Sequence, residues 1–463
     1  MHLTDQKEGG AWMAEAIKRY KERTPASARL FKQACDFLPG GNTRSVMHFN
    51  PYPLFLARGE GCYLYDVDAN RYLDFVNNYT SLIHGHAHPA IVAAANAQSA
   101  QGACFSGPHK SQSDLAELIC SRVESVDQVR FCNSGTEATM HAIRAARAFT
   151  NKSKIVKIEG GYHGTHDTVE VSVHPEPAKS GPPEAPLSLP ENRGISKGVC
   201  QDVVVIPFNN QQAAEQIVSA QADEIACLII EPMLGGAGLI PPEPGYLEFL
   251  RDLTRRLGIL LVFDEIITFR LGYSGLQGIL GIKPDLTAFG KIIGGGYPVG
   301  AFGGSKEIMK WYSPLEPGGI AHSGTFNGHP VTMAAGLAAM RHYTQPEIAR
   351  INALGDRLKA GLKQAMTRQG LKGQATGLGS LVQPHFCKGE IRDYRSASQA
   401  NKEVMTLVHL ELLERGIYIA PRGMCVLSTP MSEKEVDAFI AAFEDSLVAV
   451  KPFVENTAPE LLA

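Results

Sequence analysis

Residues 286–304 read LTAFGKIIGGGYPVGAFGG, and Lys291 is the only charge among them. An ammonium is strongly hydrated and costs several kcal/mol to bury unpaired. Such an amine either snorkels to water or acts in neutral form as a nucleophile. Three other patterns bear on which. The run QVRFCNS leads into SGTEATMHAIRAARAF, so Ser134, Gly135 and Thr136 open a helix. Free N–H groups and two hydroxyls there suit an anion, most of all a phosphate, although the same residues would make a plain N-cap. The run ILLVFDEI ends in Asp264 and Glu265, either a cap on the next turn or an acid facing a ligand. The run KIVKIEG passes into GGYHG, which puts Tyr162 and His163 on a glycine turn. An aromatic on a turn is usually packing, but on a glycine hinge it can also lie flat over a planar ring.

A phosphate cup, a ring-sized plate, an acid and an amine form the set that pyridoxal 5′-phosphate requires. The acid keeps the pyridine nitrogen protonated so that the ring accepts electrons. The lysine loses its charge when its amine joins the cofactor's aldehyde, which removes the cost of burying it.

These residues need elements that bring them together. From about residue 128 the short apolar runs QVRFCNS, KIVKIEG, DVVVIPF, IACLIIEP, ILLVFDEI and LTAFG alternate with helical segments such as GYLEFLRDLTRRLG, stopped by Gly258. That alternation predicts an α/β fold with a mostly parallel sheet covered on both faces. Ligands of such sheets bind beyond the carboxyl ends of the strands, where the four patterns fall. The proline- and glycine-rich segment 174–198 interrupts the alternation and reads as a long loop near the site. The N-terminal stretch mixes a polar helix with short strands, and after residue 335 the chain turns helical and then mixed, with GIYIAPRGMCVLSTP as a strand pair. The expected organisation is residues 1–75 and 335–463 forming one smaller α+β domain around a large domain of residues 76–334.

Bulk properties narrow the partners. The chain has 463 residues, a formal net charge of -3 and 44% hydrophobic residues, enough for a large core and too little positive charge for nucleic acid as a main partner. No apolar run approaches the roughly 20 residues of a membrane span. The N-terminus MHLTDQKEGGAWMAEAIKRYKERTPAS lacks an apolar signal core, and the nine cysteines are scattered without a CxxC pair. A soluble, cytoplasmic protein is expected. HGHAHP (84–89) alternates three histidines and raises a metal site on a strand, which the family likeness set out below makes a turn and helix entry near the substrate mouth with no metal. GGGYPVG resembles a dinucleotide loop only superficially, because it follows a lysine and opens no helix.

The blocks LVFDEIITFR, PDLTAFGKIIGGGYPVGAFGG and HSGTFNGHPVTMAAG, with NSGTEATMHAIRAAR and GGYHGTHD, resemble the signature of class III (ω-type) aminotransferases from about residue 38 to residue 430. The resemblance implies fold type I, a large pyridoxal-phosphate domain, a two-part small domain and a homodimer with sites at its interface. It makes Lys291 the residue that bonds the cofactor, Asp264 the partner of the pyridine nitrogen and Tyr162 the stacking ring. Ser134, Gly135 and Thr136 hold the phosphate, Thr325 reaches it from the other subunit, and Glu231 lies near the ring. Within the class the chain is most similar to the branch of glutamate-1-semialdehyde aminomutases, and there to (S)-β-phenylalanine aminotransferases. Arg44, in LPGGNTRSVMHF, and Arg422, in IYIAPRGMCVLSTP, resemble the carboxylate-binding arginines of the β-amino acid enzymes. The implied reaction moves the amino group of an aromatic β-amino acid to 2-oxoglutarate. Aminomutase activity, a D-phenylglycine-type aminotransferase and a catalytically inert binding or regulatory protein of the same fold are the alternatives.

Overall fold

The computed structural model describes residues 10–463. The first nine residues, part of the stretch read as lacking a signal core, lie outside the described residues.

All six apolar runs form strands of one seven-stranded sheet: Gln128–Cys132, Lys154–Ile158, Val203–Ile206, Ile225–Ile230, Leu260–Asp264 and Leu286–Gly290. Ile225–Ile230 is buried at every position, so it reads as a continuous apolar run rather than an alternation. The seventh strand, Gly300–Gly304, is one the sequence did not announce, because GAFGG has no β-branched residue. It lies antiparallel between Gln128–Cys132 and Leu286–Gly290. Its glycines permit a close approach that matters for the site. A Cβ on Gly300 would fall 2.0 Å from the Ser134 carbonyl, so only glycine lets this strand lie against the start of the helix Gly135–Thr150.

The remaining strand pairs of the sheet are parallel. Ile230 pairs with Phe263 and Asp264 with Ala288, so Glu231, Asp264 and Lys291 leave three adjacent strands at the same edge. The helix Tyr246–Arg256 buries Leu247, Leu250 and Leu253 against the sheet core and stops at a left-handed Gly258.

The two ends of the chain share a core. Tyr20, Tyr52, Leu64 and Phe75 pack in one cluster with Leu358, Leu410, Phe439 and Phe443. Strands Leu56–Glu60, Tyr63–Asp66 and Arg71–Asp74 form an antiparallel sheet that Ile417–Tyr418 joins in parallel. This corrects the reading of GIYIAPRGMCVLSTP as a strand pair. Its second half, Cys425–Val426, instead pairs with Leu381–His385 in a separate three-stranded sheet. Local sequence favours extended structure in both halves, but their partners are remote in sequence and differ.

The segment 174–198 is a loop, as expected, but not a wall of the site. None of its residues lines the main cavity. Tyr394 Oη donates to the Pro175 carbonyl, and Arg395 donates to the Ser180 and Gly181 carbonyls while pairing with Glu159 at 2.8 Å. The loop is thus fastened to the C-terminal segment. Among the described residues, no helix is long and apolar enough to cross a membrane.

Candidate active site

A cavity of about 550 Å³ opens at the carboxyl edge of the large sheet, and eight of the ten residues singled out from sequence line it: Arg44, Ser134, Gly135, Thr136, Tyr162, Glu231, Asp264 and Lys291. Arg422 and Thr325 do not.

Lys291 follows the strand Leu286–Gly290 and is half-buried, with its own backbone left-handed at φ 49°. For a non-glycine residue that conformation costs about 1–2 kcal/mol, a strain of the kind found at functional sites. Burial pushes the amine down from the ordinary lysine value to about 8, while Asp264 and Glu231 pull it back up. The neutral fraction near neutral pH is thereby larger than an ordinary lysine has, which makes this amine a better nucleophile.

Asp264 is buried at the end of its strand. Its Oδ2 accepts a hydrogen bond from His163 Nδ1 at 2.8 Å, and its Oδ1 accepts one from the Ile266 N–H at 3.1 Å. His163 is the functional candidate that the sequence reading left without a role. It is 1% exposed, and its Nε2 has no partner. Its signal was the histidine next to Tyr162 in GGYHG, which cannot by itself say which carboxylate it meets. The neighbouring Glu265 is completely buried and faces away, accepting from Thr268 Oγ1 and from the N–H groups of Leu276 and Gln277. Of the two acids in FDE, one serves the cavity and the other caps the following turn.

Glu231 holds the glycine turn. Its two carboxylate oxygens accept the Tyr162 N–H at 3.0 Å and the Gly235 N–H at 3.1 Å, and burial raises its pKa. Tyr162 itself remains exposed on the cavity side. Ser134 caps the helix Gly135–Thr150 through its Oγ, which accepts the Glu137 N–H at 3.2 Å, so the plain-cap reading holds for that hydroxyl. The N–H groups of Gly135 and Thr136 still precede any intrahelical partner and carry the positive end of the helix dipole. A Cβ on Gly164 would fall 2.6 Å from Thr136, which lets the loop after Tyr162 close over this helix start.

Arg44 and Arg422 stand at the rim, both exposed. Arg44 donates to Asn78 Oδ1 at 2.5 Å and lies 5.3 Å from the Tyr79 ring. Arg422 donates to the Gly236 carbonyl at 3.2 Å and is near enough to Tyr162 and Lys291 to affect both. Among the described residues neither guanidinium forms an ion pair with a carboxylate. Thr325 is exposed on the loop after Tyr312 and outside its own chain's cavity.

The histidines of HGHAHP go to separate partners. His84 bonds to Thr429 Oγ1 and the Ala339 carbonyl and His86 to Asp74, while His88 stands at the N-cap position of the helix Pro89–Gln101 without a side-chain capping bond. Among the described residues no group of three histidine, cysteine or acidic side chains could hold a metal.

Pyridoxal 5′-phosphate suits this donor set. The cavity is of the size that encloses a small cofactor with substrate. It offers N–H groups at a helix start, a ring on a turn, a hydrogen-bonded buried acid and an amine with lowered pKa, all on one sheet edge.

Known proteins resemble this chain over most of its length. A family model described as Aminotransferase class-III matches residues 45–447. A glutamate-1-semialdehyde 2,1-aminomutase of Methanothermobacter thermautotrophicus is 40% identical over 92% of this chain and 99% of its own length. A beta-phenylalanine transaminase of Variovorax paradoxus is 39% identical over 93% of this chain and 94% of its own. The crystal structure of an omega-transaminase from Sphaerobacter thermophilus superposes with a TM-score of 0.89 at 45% identity, covering 93% of this chain and 99% of that one.

Proposed function

The chain belongs to the class-III aminotransferases, enzymes that use pyridoxal 5′-phosphate, and from that premise we propose that it transfers the amino group of an aromatic β-amino acid to 2-oxoglutarate, giving a β-keto acid and glutamate. The observation that carries this reading is the pair of rim arginines, each held by one neutral oxygen and free to take a carboxylate. A β-amino acid has an apolar group on one side of the amine carbon and a methylene carboxylate on the other. The acceptor 2-oxoglutarate has one carboxylate on its keto carbon and another two methylenes away. One site serves both in alternate half-reactions, and two separately held guanidiniums meet that demand better than one. In this reading Arg422 takes the β-carboxylate of the donor and the distal carboxylate of the acceptor, and Arg44 takes the acceptor's α-carboxylate.

When bound, the cofactor supplies an electron sink for the carbanion formed at the amine carbon. The chain's own residues do the rest. Lys291 would bond the cofactor and, as a free amine, would take and return the proton at the substrate's amine carbon. Asp264 would hold a proton on the ring nitrogen, and His163 fixes its carboxylate. The N–H groups of Gly135 and Thr136, with the Thr136 hydroxyl, would hold the phosphate, and Tyr162 would cover the ring. Glu231 steadies the Tyr162 turn through its backbone. Thr325 lies outside its own chain's cavity and, as the family likeness implies, would serve the phosphate of a second copy in a homodimer.

The relative at 40% identity gives the aminomutase reading its standing. A panel of β-phenylalanine, D-phenylglycine and simple amines, each with 2-oxoglutarate, alongside glutamate-1-semialdehyde with no acceptor, separates the two. β-Phenylalanine should be the preferred donor. Rapid isomerisation of glutamate-1-semialdehyde with no turnover of β-phenylalanine would replace this reading with the aminomutase one.

A further inference from the structure

Arg44 is held in place by one short turn. Asn77, Asn78, Tyr79 and Thr80 have φ values of 48°, 48°, 52° and 77°. Four successive non-glycine residues in the left-handed region are costly, and such a turn persists only where its surroundings dictate it. The surroundings do so from behind. Asp74 Oδ1 accepts the N–H groups of Val76 and Asn77 at 2.8 and 3.0 Å. Asn77 Nδ2 donates to the Val426 carbonyl at 2.7 Å. Arg270, completely buried, donates to the carbonyls of Thr80 and Leu427 and to Ser380 Oγ.

The front of the turn faces the cavity. Asn78 Oδ1 accepts from Arg44, the Tyr79 ring lies beside the guanidinium, and Tyr79 Oη donates to the Val46 carbonyl at 2.7 Å. The turn therefore grips both the head of Arg44 and the backbone two residues on. The partner it offers is a neutral amide, although a carboxylate of the same shape would fit the same place.

We propose that Asn78 determines acceptor specificity: its amide oxygen aims Arg44 at the cavity without neutralising it, leaving the guanidinium available to the carboxylate on the keto carbon of a 2-oxo acid. The inference rests on the assignment of Arg44 to the acceptor's α-carboxylate. A guanidinium bonded to an amide oxygen keeps its net charge, and a carboxylate offers it in addition an opposite charge and a bidentate, two-bond geometry. An incoming carboxylate thus displaces or outbids the amide, whereas an acid at position 78 would already occupy Arg44 and compete with the α-carboxylate of the acceptor. Removing the side chain would instead leave the exposed guanidinium to solvent.

The test compares two acceptors that differ only in the group at issue. 2-Oxoglutarate carries the α-carboxylate, and succinic semialdehyde keeps the distal carboxylate and lacks it. Asn78→Asp keeps a residue type that tolerates the left-handed backbone. It should lower the ratio of kcat/KM for 2-oxoglutarate over succinic semialdehyde by at least about threefold, mainly through KM. Asn78→Gly keeps the backbone and deletes the amide, and it should lower the same ratio. In Arg44→Ala the ratio should collapse, and adding Asn78→Asp to it should change nothing further, which a purely structural role for Asn78 would not produce. If Arg44→Ala leaves the ratio intact, the assignment of Arg44 is wrong and this inference falls with it. If Arg44→Ala collapses the ratio but the Asn78 variants reduce both acceptors equally, the assignment stands and the specificity role of Asn78 is overturned.

Discussion

The cavity joins two regions built on different terms. At its floor, Asp264 and Glu231 are buried, and each of their carboxylate oxygens has a protein donor. At its rim, Arg44 and Arg422 are exposed, and each side chain donates to one neutral oxygen. Floor residues sit at the last position of a sheet strand or one step beyond it, where a shift of one would move a whole strand register. Rim residues sit on loops, where a guanidinium can turn without disturbing the core. The difference separates the chemistry common to any amino donor from the choice of donor and acceptor. Substitutions on the floor should damage every substrate alike, and substitutions on the rim should damage substrates unequally.

The sharpest way to break that division is at Lys291. Lys291→Ala should abolish turnover with every donor and acceptor, since both the anchoring amine and the proton carrier are lost. Borohydride reduction of the wild type should attach the cofactor at this residue. Activity retained with any donor, or a labelled peptide containing another lysine, would move the floor elsewhere.

Asp264→Asn is the next largest. Charge-assisted hydrogen bonds are worth about 1.5–3 kcal/mol, so kcat should fall roughly ten- to a hundredfold. The fall in kcat should exceed the loss of cofactor affinity, because the ring proton matters most as the carbanion forms. Near-normal kcat with weakened cofactor binding would reduce Asp264 to an anchor.

Arg422→Ala tests the rim. It should lower kcat/KM about tenfold in both half-reactions with carboxylate-bearing substrates while sparing a simple amine donor, as read by single-turnover changes in cofactor absorbance. An equal loss with the amine would show that Arg422 supports the floor, for example through its bond to Gly236 beside Tyr162.

The smallest effect sharpens the electrostatics of the floor. Lys291 attacks only as the free amine, which accumulates as pH rises through about 8. Covalent attachment of the cofactor to the apoprotein should therefore speed up with pH and level off above that point. Glu231 holds this value up, so Glu231→Gln should shift the midpoint lower than in the wild type. A midpoint that stayed put or rose would mean that Glu231 acts only on the Tyr162 backbone.

Much of the floor was legible because each of its residues follows a local signal. Apolar runs such as ILLVF and LTAFG declare buried parallel strands by composition alone, and the edge where ligands bind follows from the architecture. Lys291, Asp264, Tyr162 and the helix start at Ser134 were therefore found without knowing which strands are neighbours. What stayed hidden depends on contacts between residues distant in the chain. Strand Gly300–Gly304 owes its place to what its glycines allow against Ser134, and no propensity reveals that. Ile417–Tyr418 and Cys425–Val426 look like one hairpin and go to two sheets. Asp264 and Glu265 are adjacent acids, and only the pleat and the donors waiting on each side, His163 for one and Thr268 with two N–H groups for the other, decide which faces the cavity. Arg44 is bonded 34 residues away to Asn78, on a left-handed turn that no asparagine-rich stretch demands by itself. Local sequence sets the chemical groups and their strands because those depend on side chains a few residues apart. Their partners were decided by the tertiary structure, because hydrogen bonds and burial between remote segments exist only once the chain has closed on itself.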